Sequence, residues 1–150
     1  MQLEAELDLS EVDRLLDGLE SSLPQLQMKI GKQVRHAVFS KSQDLCPVAD
    51  FKGGTLKKSG YERVEGRNHI IGYTAPYASH VEFGTRPHII VPKNKRFLHW
   101  KVSGKSIFAK KVNHPGTPPR NYLRGAWAAI RPRVPKIAKA VIEQHLRGVS

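Results

Sequence analysis

The sequence has a single cysteine, Cys46, and no apolar run that approaches the length of a membrane span. One thiol cannot form an intrachain disulfide or a thiolate zinc cluster. A bilayer requires about 20 consecutive apolar residues, so we expect no membrane segment. The acidic amino terminus also lacks the positive start and the apolar stretch of a secretory signal. We therefore expect a soluble chain that is made in a reducing cytoplasm.

Acidic residues are missing from most of the second half of the chain. No Asp or Glu occurs between Glu82 and Glu143, although 14 Lys and Arg do. Residues 1–28, by contrast, contain seven acids and one base, in a chain whose formal net charge is +12. This separation of charge favours a subunit whose acidic end binds the basic surface of a neighbour, or one that lines a passage for a polyanion.

Residue patterns that support catalysis are also lacking. His80-Val81-Glu82 matches half of a zinc-deaminase motif, but the P-C-x-x-C that must follow it is absent. The stretch after Gly53-Gly54 lacks the spacing of a phosphate-binding loop, and the seven histidines show no metal-ligand spacing. We therefore expect no enzymatic activity, no catalytic residues, no cofactor and no metal site.

The first third of the chain predicts a strand and two helices. A length of 150 residues fits one domain, residues 1–150, with a modest core. Residues 1–22 are predicted to form an acidic strand plus helix, because apolar and acidic residues alternate over residues 2–9 and Ser10 marks a helix start. A long helix is predicted at residues 24–46, with these residues near one face: Leu26, Ile30, Val34, Val38 and Leu45. Its end is set by Cys46-Pro47, since proline disfavours helix in the residue before it.

The middle of the chain is typical of strands and turns. Residues 61–65 and 69–73 predict paired strands, and residues 75–83 predict a short helix. Residues 87–112 predict a basic hairpin that reverses at Ser103-Gly104, between strands at residues 97–102 and 106–112.

The last part of the chain, residues 120–147, predicts a helical segment that Pro132 and Pro135 kink or divide. The predicted fold class is therefore α+β. We expect a small, mostly antiparallel sheet packed against the long helix of the amino-terminal half and against this C-terminal helical segment. The basic hairpin is an insertion in that framework.

Three sequence blocks stand out: CPVADFKGGTLKKSG (residues 46–60), IGYTAPYASHVEFGTRPH (71–88) and HPGTPPRNYLRGAWAAI (114–130). In the second block, Tyr77, Val81 and Phe83 are predicted to pack inward from a short helix, and Gly84 to provide a left-handed exit. The third block places an apolar stripe on a helix, formed by Tyr122, Leu123, Trp127 and Ile130.

The three blocks resemble a family of neck and tail-completion proteins of tailed bacteriophages, also called head–tail joining proteins, to which the lambda-like tail-completion protein Z is related. The resemblance covers residues 24–142. Residues 50–53 are extra within the first block, and smaller members lack the hairpin at residues 87–112. The residues that carry the resemblance are Cys46-Pro47-Val48, Gly54-Thr55-Leu56, Ser59, Tyr77-Ala78, Val81-Glu82-Phe83-Gly84-Thr85 and Asn121-Tyr122-Leu123-Arg124-Gly125-Ala126.

What the resemblance implies is a structural virion protein without catalysis. Such a protein would form a homo-oligomeric ring, sixfold in the resembled family, at the neck or the head-proximal end of the tail. Implied partners are the tail terminator, head-closure components and double-stranded DNA in the lumen. The implied location is the virion, after assembly in the host cytoplasm. The alternative is a small basic protein that binds nucleic acid without sequence specificity.

The candidate subunit-interface residues are Glu4, Glu6, Asp8, Glu82 and Arg86. The first three belong to a predicted edge strand whose carboxylates would face the basic hairpin of a neighbour. Glu82 has two interpretations that the sequence leaves open. In the first, Glu82 forms an ion pair with an Arg such as Arg86 across a subunit boundary. In the second, it forms an ion pair within its own chain or acts as a helix-terminal charge.

The candidate contacts to DNA phosphates or to a partner lie in the basic hairpin: Lys93, Lys95, Arg96, Lys101, Lys105, Lys110 and Lys111. Trp100 and Phe108 are interleaved with them. Basic residues with aromatics bind single strands by stacking. The same pattern is also typical of a solvated strand face, or of a surface that docks on an acidic protein.

Overall fold

The computed structural model describes residues 3–6, 8–9, 23–48 and 53–147. Helices and antiparallel strands are both present, which confirms the α+β prediction. The elements follow in this order: β1 (Leu3–Glu6), α1 (Leu23–Leu45), α2 (Thr55–Lys58), β2 (Gly60–Glu65), β3 (Asn68–Tyr73), α3 (Ala78–Phe83), β4 (His88–Ile90), β5 (Leu98–Val102), β6 (Lys105–Ala109), β7 (Val112–His114), α4 (Tyr122–Ile130), a 3-10 turn (Arg131–Arg133) and α5 (Val134–Arg147).

The main sheet has three strands in the order β1-β3-β2. Both neighbours run antiparallel to β3, and Tyr73 lies opposite Leu3 on one side and Gly60 on the other. The predicted pair of strands is therefore confirmed. The strand predicted at residues 2–9 is observed over Leu3–Glu6. The helix predicted to start at Ser10 lies outside the described residues.

The long helix α1 forms because apolar residues recur every four positions on one face. The buried residues on that face are Leu26, Ile30, Val34 and Val38. The prediction that Leu45 shares it is wrong, since Leu45 is 42% exposed and Ser42 takes the buried position one turn earlier. The Ser42 hydroxyl donates to the Phe39 carbonyl (2.7 Å) and lies 2.7 Å from the Tyr73 hydroxyl. A buried serine is tolerated there because both its donor and its acceptor are satisfied.

The core lies between α1, β3 and the two carboxyl-terminal helices. Tyr73 of β3 and Tyr122 of α4 meet edge to face, with ring centroids 4.9 Å apart and planes at 85°, a preferred aromatic geometry. The predicted division of the last helical segment is confirmed. Pro132 falls in the 3-10 turn, and Pro135 occupies the first turn of α5, where its missing N–H is not needed.

A long β-arm, residues 85–117, leaves the body between α3 and α4. It has two ladders: β4 pairs with β7, and β5 pairs with β6. Ser103 and Gly104 both have positive φ and form the tight turn between β5 and β6, as predicted. The return strand predicted at residues 106–112 is observed as two strands, β6 and β7, which are interrupted at Lys110 and Lys111. Seven residues separate β4 from β5 but only two separate β6 from β7, so one continuous ladder is impossible.

Candidate assembly surface: an exposed arm and its root

The three sequence blocks meet at one groove beside the root of the arm. It is lined by Pro47, Val48, Leu56, Tyr77, Val81 and Arg120. A neighbouring depression shares Pro47, Val81 and Arg120 and adds Pro118. The fold therefore joins positions that lie more than 70 residues apart in the sequence. Cys46, next to the groove, is buried, and burial raises the pKa of its thiol, so it is a protonated packing residue at neutral pH.

Glu82 is the buried acid at the root of the arm, and its carboxylate is bound to the start of α4. Oε2 accepts a hydrogen bond from the backbone N–H of Leu123, and Oε1 accepts one from Arg124, both at 2.9 Å. The first N–H groups of a helix have no partner within the helix, and a carboxylate is favoured at this positive end. Asn121, the N-cap residue, makes no side-chain cap of its own, so Glu82 supplies the missing acceptor.

The candidate pairing of Glu82 with Arg86 across a subunit boundary is corrected by this geometry. The Glu82 side chain is only 1% exposed and lies 3.6 Å from Nε of Arg124 in its own chain. A buried carboxylate that is already satisfied cannot reach a neighbouring subunit. The helix-terminal interpretation therefore holds. Arg86 is exposed near the start of the arm, and its backbone carbonyl is 2.8 Å from Nδ1 of His88.

The inward packing predicted for Tyr77 and Phe83 is wrong. Phe83 is 53% exposed, and the guanidinium carbon of Arg124 lies 5.1 Å from the centre of its ring. Ala78 and Glu82 are the residues of α3 that are buried. They are four positions apart and so share one helical face, a signal that was present in the sequence. The charge of Glu82 hides this signal, because acidic residues are seldom fully buried unless they are paired.

Backbone hydrogen bonds hold the two ends of the arm together. The N–H groups of Arg120 and Asn121 donate to the carbonyls of Val81 and Glu82, at 3.0 and 3.2 Å. Thr85 and Thr117 exchange backbone hydrogen bonds at 3.0 and 3.1 Å, and their hydroxyls are 3.0 Å apart. The root is therefore fixed to α3 and α4 by main-chain contacts that do not depend on long side chains.

Two glycines make this close approach possible. Gly84 has φ of +75° and ψ of −177°, which is the extended region accessible to glycine rather than a left-handed helical exit. A Cβ at Gly84 would collide with the Thr117 carbonyl oxygen, and one at Gly116 with that of Thr85. The geometry of the root thus requires residues without a side chain at both positions.

Beyond the root, the arm is open to solvent. Every residue from 83 to 121 is exposed or half-buried. In the β5–β6 hairpin, cross-strand partners share a face. Trp100 lies opposite Ile107 and Val102 opposite Lys105, so one face is mainly apolar. The other face pairs His99 with Phe108, whose rings stack at 4.6 Å, and carries Lys101.

The predicted basic contacts all lie on this arm, and all are exposed. Lys93, Lys95 and Arg96 occupy the segment between β4 and β5. Lys101 and Lys105 lie in the β5–β6 hairpin, and Lys110 and Lys111 follow it. The fold therefore brings the seven candidates onto one projecting element, as the prediction of a basic hairpin requires.

The predicted acidic contacts lie elsewhere, at the amino-terminal strand. Glu4 of β1 accepts hydrogen bonds from the hydroxyl of Tyr61 (2.5 Å) and from Arg63 (3.1 Å), so its charge is partly compensated. Burial, and then the bond to Glu4, raise the pKa of Tyr61 to about 12. Glu6 lies opposite Ile70 in the β1–β3 ladder, and Asp8 is exposed just after β1.

No protein-family model matches the chain, and no curated protein or solved structure is significantly similar to it. Within residues 3–6, 8–9, 23–48 and 53–147, no helix is long and apolar enough to cross a bilayer. The same residues hold no group of three or more His, Cys, Asp or Glu placed to bind a metal ion. Function is therefore inferred from the arm and its root.

Proposed function

We propose that this chain is a structural virion protein of a tailed phage. Copies form a ring at the neck or at the head-proximal end of the tail, join the tail to the capsid and surround the path of the DNA. The protein is not an enzyme and needs no cofactor. The resemblance of the three sequence blocks to neck and tail-completion proteins supports this proposal, because those blocks converge at the root of a projecting arm.

The observation that carries the proposal is the exposed arm. An isolated two-stranded hairpin is marginally stable in water unless something covers one of its faces. Here the apolar side chains stay in solvent: Trp100 is 37% exposed, Ile107 37%, Val102 50% and Phe108 65%. Trp100, Ile107 and Val102 lie on one face of the hairpin, and a contiguous apolar patch of this kind marks a protein contact. In the assembled ring, other subunits would bury these exposed apolar side chains.

A ring follows if the arm meets a different patch on the next copy. Contacts between unlike patches propagate from subunit to subunit until rotation closes them. Sixfold symmetry is taken from the resembled family. The neighbours above and below the ring are then tail-terminator and head-closure components. Exposed Lys and Arg on the lumen side would hold DNA phosphates without reading sequence.

The deciding experiment is an image of intact particles in which this subunit is located, for example with a fused density marker. We expect a ring between capsid and tail, and particles without the protein should release DNA or lack joined tails. If the protein is absent from particles, and particles without it stay joined and infectious, the proposal is wrong.

A second candidate function is supported by the arm's chemistry. Its cations are interleaved with the stacked His99 and Phe108 rings and with Trp100, which suits non-specific binding of nucleic acid. This function predicts tight binding of DNA by a monomer, with affinity that falls steeply with salt. Sizing at low and moderate salt without DNA separates the two candidates, since the assembly protein self-associates. Incubation with DNA and a divalent metal tests for nuclease activity.

A further inference from the structure

The arm carries charge of one sign only. Residues 85–117 include eight Lys and Arg and no Asp or Glu. Cations of the body behave differently: Arg35 pairs with Glu62, and Arg63 with Glu4 and Glu65. In the part of the chain that the structure describes, no carboxylate lies within 4.0 Å of an arm cation. The arm therefore projects as an uncompensated positive surface.

The opposite charge is concentrated at the other end of the sequence. Residues 1–28 contain seven acids and one base. Strand β1, which lies in this region, is an outer strand of the main sheet and pairs with β3 along one edge. An outer strand presents backbone N–H and C=O groups along its second edge, and a strand from another chain can pair with them.

We propose that the arm of one copy docks on the acidic β1 strand of the next copy. This inference rests on the proposed function and specifies its subunit contact. The basic side chains of the arm lie along the carboxylates of residues 1–9, and an outer edge of the β5–β6 hairpin pairs with the outer edge of β1. Because the arm and β1 are different patches, each subunit uses both, and the contact propagates into a ring.

The two faces of the hairpin favour a protein over a polyanion as the occupant. A phosphate backbone neutralises Lys101 and Lys105 but offers nothing to Trp100, Val102 and Ile107, which share one face of the hairpin with Lys105. The amino-terminal strand of a second copy offers carboxylates and also an outer edge of backbone N–H and C=O groups. A duplex offers phosphates but no strand edge, so the second copy is the better match.

The test uses matched reversals of charge in the whole chain. One variant carries Glu6→Lys and Asp8→Lys, which makes both patches basic. The second carries Lys101→Glu and Lys105→Glu, which makes the β5–β6 hairpin acidic, since these are the two Lys of that hairpin. The third combines all four changes and so exchanges the two charges. Arg133→Glu with Lys136→Glu, at exposed positions of the 3-10 turn and α5, changes charge by the same amount elsewhere. Glu4 is left intact because it bonds to Tyr61 and Arg63.

Self-association is measured by native mass spectrometry and sedimentation, with circular dichroism to show that every variant is folded. We expect each of the first two variants alone to associate at least about tenfold more weakly than the wild type. The combined variant should assemble again, and so should an equimolar mixture of the two defective variants, because their surfaces are complementary. The Arg133→Glu/Lys136→Glu control should assemble like the wild type.

The inference is overturned if the wild type stays monomeric at all concentrations, or if folded combined variants and mixtures do not recover. It is also overturned if reversal on the arm removes only binding to a DNA duplex and leaves self-association unchanged. These failures are distinct from failure of the proposed function. If the subunit is found in the particle ring but the combined variant does not assemble, only this contact is refuted. Absence from particles refutes the virion role whatever the solution measurements show.

Discussion

Gly31 of α1 packs directly against the imidazole ring of His69 on β3. A Cβ at position 31 would overlap three atoms of that ring, so the helix reaches the sheet only because residue 31 has no side chain. His69 is itself buried, and its Nδ1 lies 3.4 Å from a guanidinium nitrogen of Arg35. This contact sets the distance between the long helix and the central strand, and with it the frame that carries the arm.

We predict that Gly31→Ala destabilises the protein by about 2–3 kcal/mol, because both α1 and β3 must shift. Gly125→Ala is the matched control, since it makes the same change inside another helix. A Cβ there meets Leu45 Cδ1 at 3.5 Å, an ordinary contact. Alanine also favours helix over glycine, so Gly125→Ala should stabilise by about 0.5–1 kcal/mol. Urea unfolding followed by circular dichroism measures both; equal effects would contradict the packing argument.

Stability should fall below neutral pH because of His69. Burial first, and then the nearby Arg35 guanidinium, lower the pKa of His69 from the usual value of 6.5. In the unfolded chain His69 takes up a proton near pH 6.5, whereas in the folded chain it does so at lower pH. The stability that neutral His69 contributes is therefore complete above about pH 6.5. It is lost as the pH falls through the pKa of His69 in the folded chain.

The measurement is the free energy of unfolding between pH 7.5 and 5 for the wild type and for His69→Gln. The wild type should lose more stability over this range, and a smaller slope in the variant assigns the loss to His69. Identical slopes would show that other groups cause it.

Removal of the Glu82 carboxylate should weaken the root of the arm. Glu82→Ala leaves the N–H groups of Leu123 and Arg124 buried or partly buried without an acceptor, so we expect a loss of about 2–4 kcal/mol. Glu82→Gln keeps one good acceptor and should cost less. Glu143→Ala, which removes an exposed acid from surface pairs with Lys139 and Arg147, should change stability by less than about 0.5 kcal/mol. Thermal and urea unfolding provide the comparison.

The backbone at the root should tolerate no side chain at Gly84. Gly84→Ala places a Cβ against the Thr117 carbonyl, in addition to an unfavourable positive φ. Gly104→Ala also has positive φ, +80°, but the space around it is open, so it pays only the conformational cost of about 1–2 kcal/mol. Hydrogen exchange of the Thr85 and Thr117 amides should accelerate in Gly84→Ala alone. Equal acceleration in both variants would show that the close approach is unimportant.

Stability should also fall at high pH because of buried tyrosines. The pKa of Tyr73 is raised to about 12, mainly by burial. The pKa of Tyr122 is raised as well, by burial and then by the Glu82 carboxylate. Their folded pKa values exceed the unfolded value near 10, so this stability is present below pH 10 and is lost as pH rises toward 12.

Ultraviolet titration of tyrosinate should show these groups ionising only as the chain unfolds. Tyr73→Phe should reduce the alkaline loss, although it leaves Ser42 and Gln43 without their shared partner and lowers stability at neutral pH by about 1–2 kcal/mol. An unchanged alkaline slope in Tyr73→Phe would contradict the assignment.

Much of the local structure was predictable from neighbouring residues. The four-residue spacing of apolar positions predicted α1, the Cys46-Pro47 step predicted its end, and Ser103-Gly104 predicted the turn of the arm. Errors occurred where the outcome depended on distant parts of the chain. Leu45 was predicted on a buried face that ends at Ser42, and the return strand predicted at residues 106–112 is divided between the two ladders of the arm.

The sequence by itself determined the helices, the turns and the separation of charge, because spacing, proline, glycine and side-chain charge act over a few residues. Only the tertiary structure decided that the Glu82 carboxylate accepts hydrogen bonds from the first turn of α4. Its partner Leu123 lies 41 positions away, and a lone acid in a basic region has no local signature that distinguishes a buried cap from a surface contact. The arm's exposure was decided in the same way. An alternating apolar strand is buried only if the folded body lies within its reach, and here the root directs the strand into solvent.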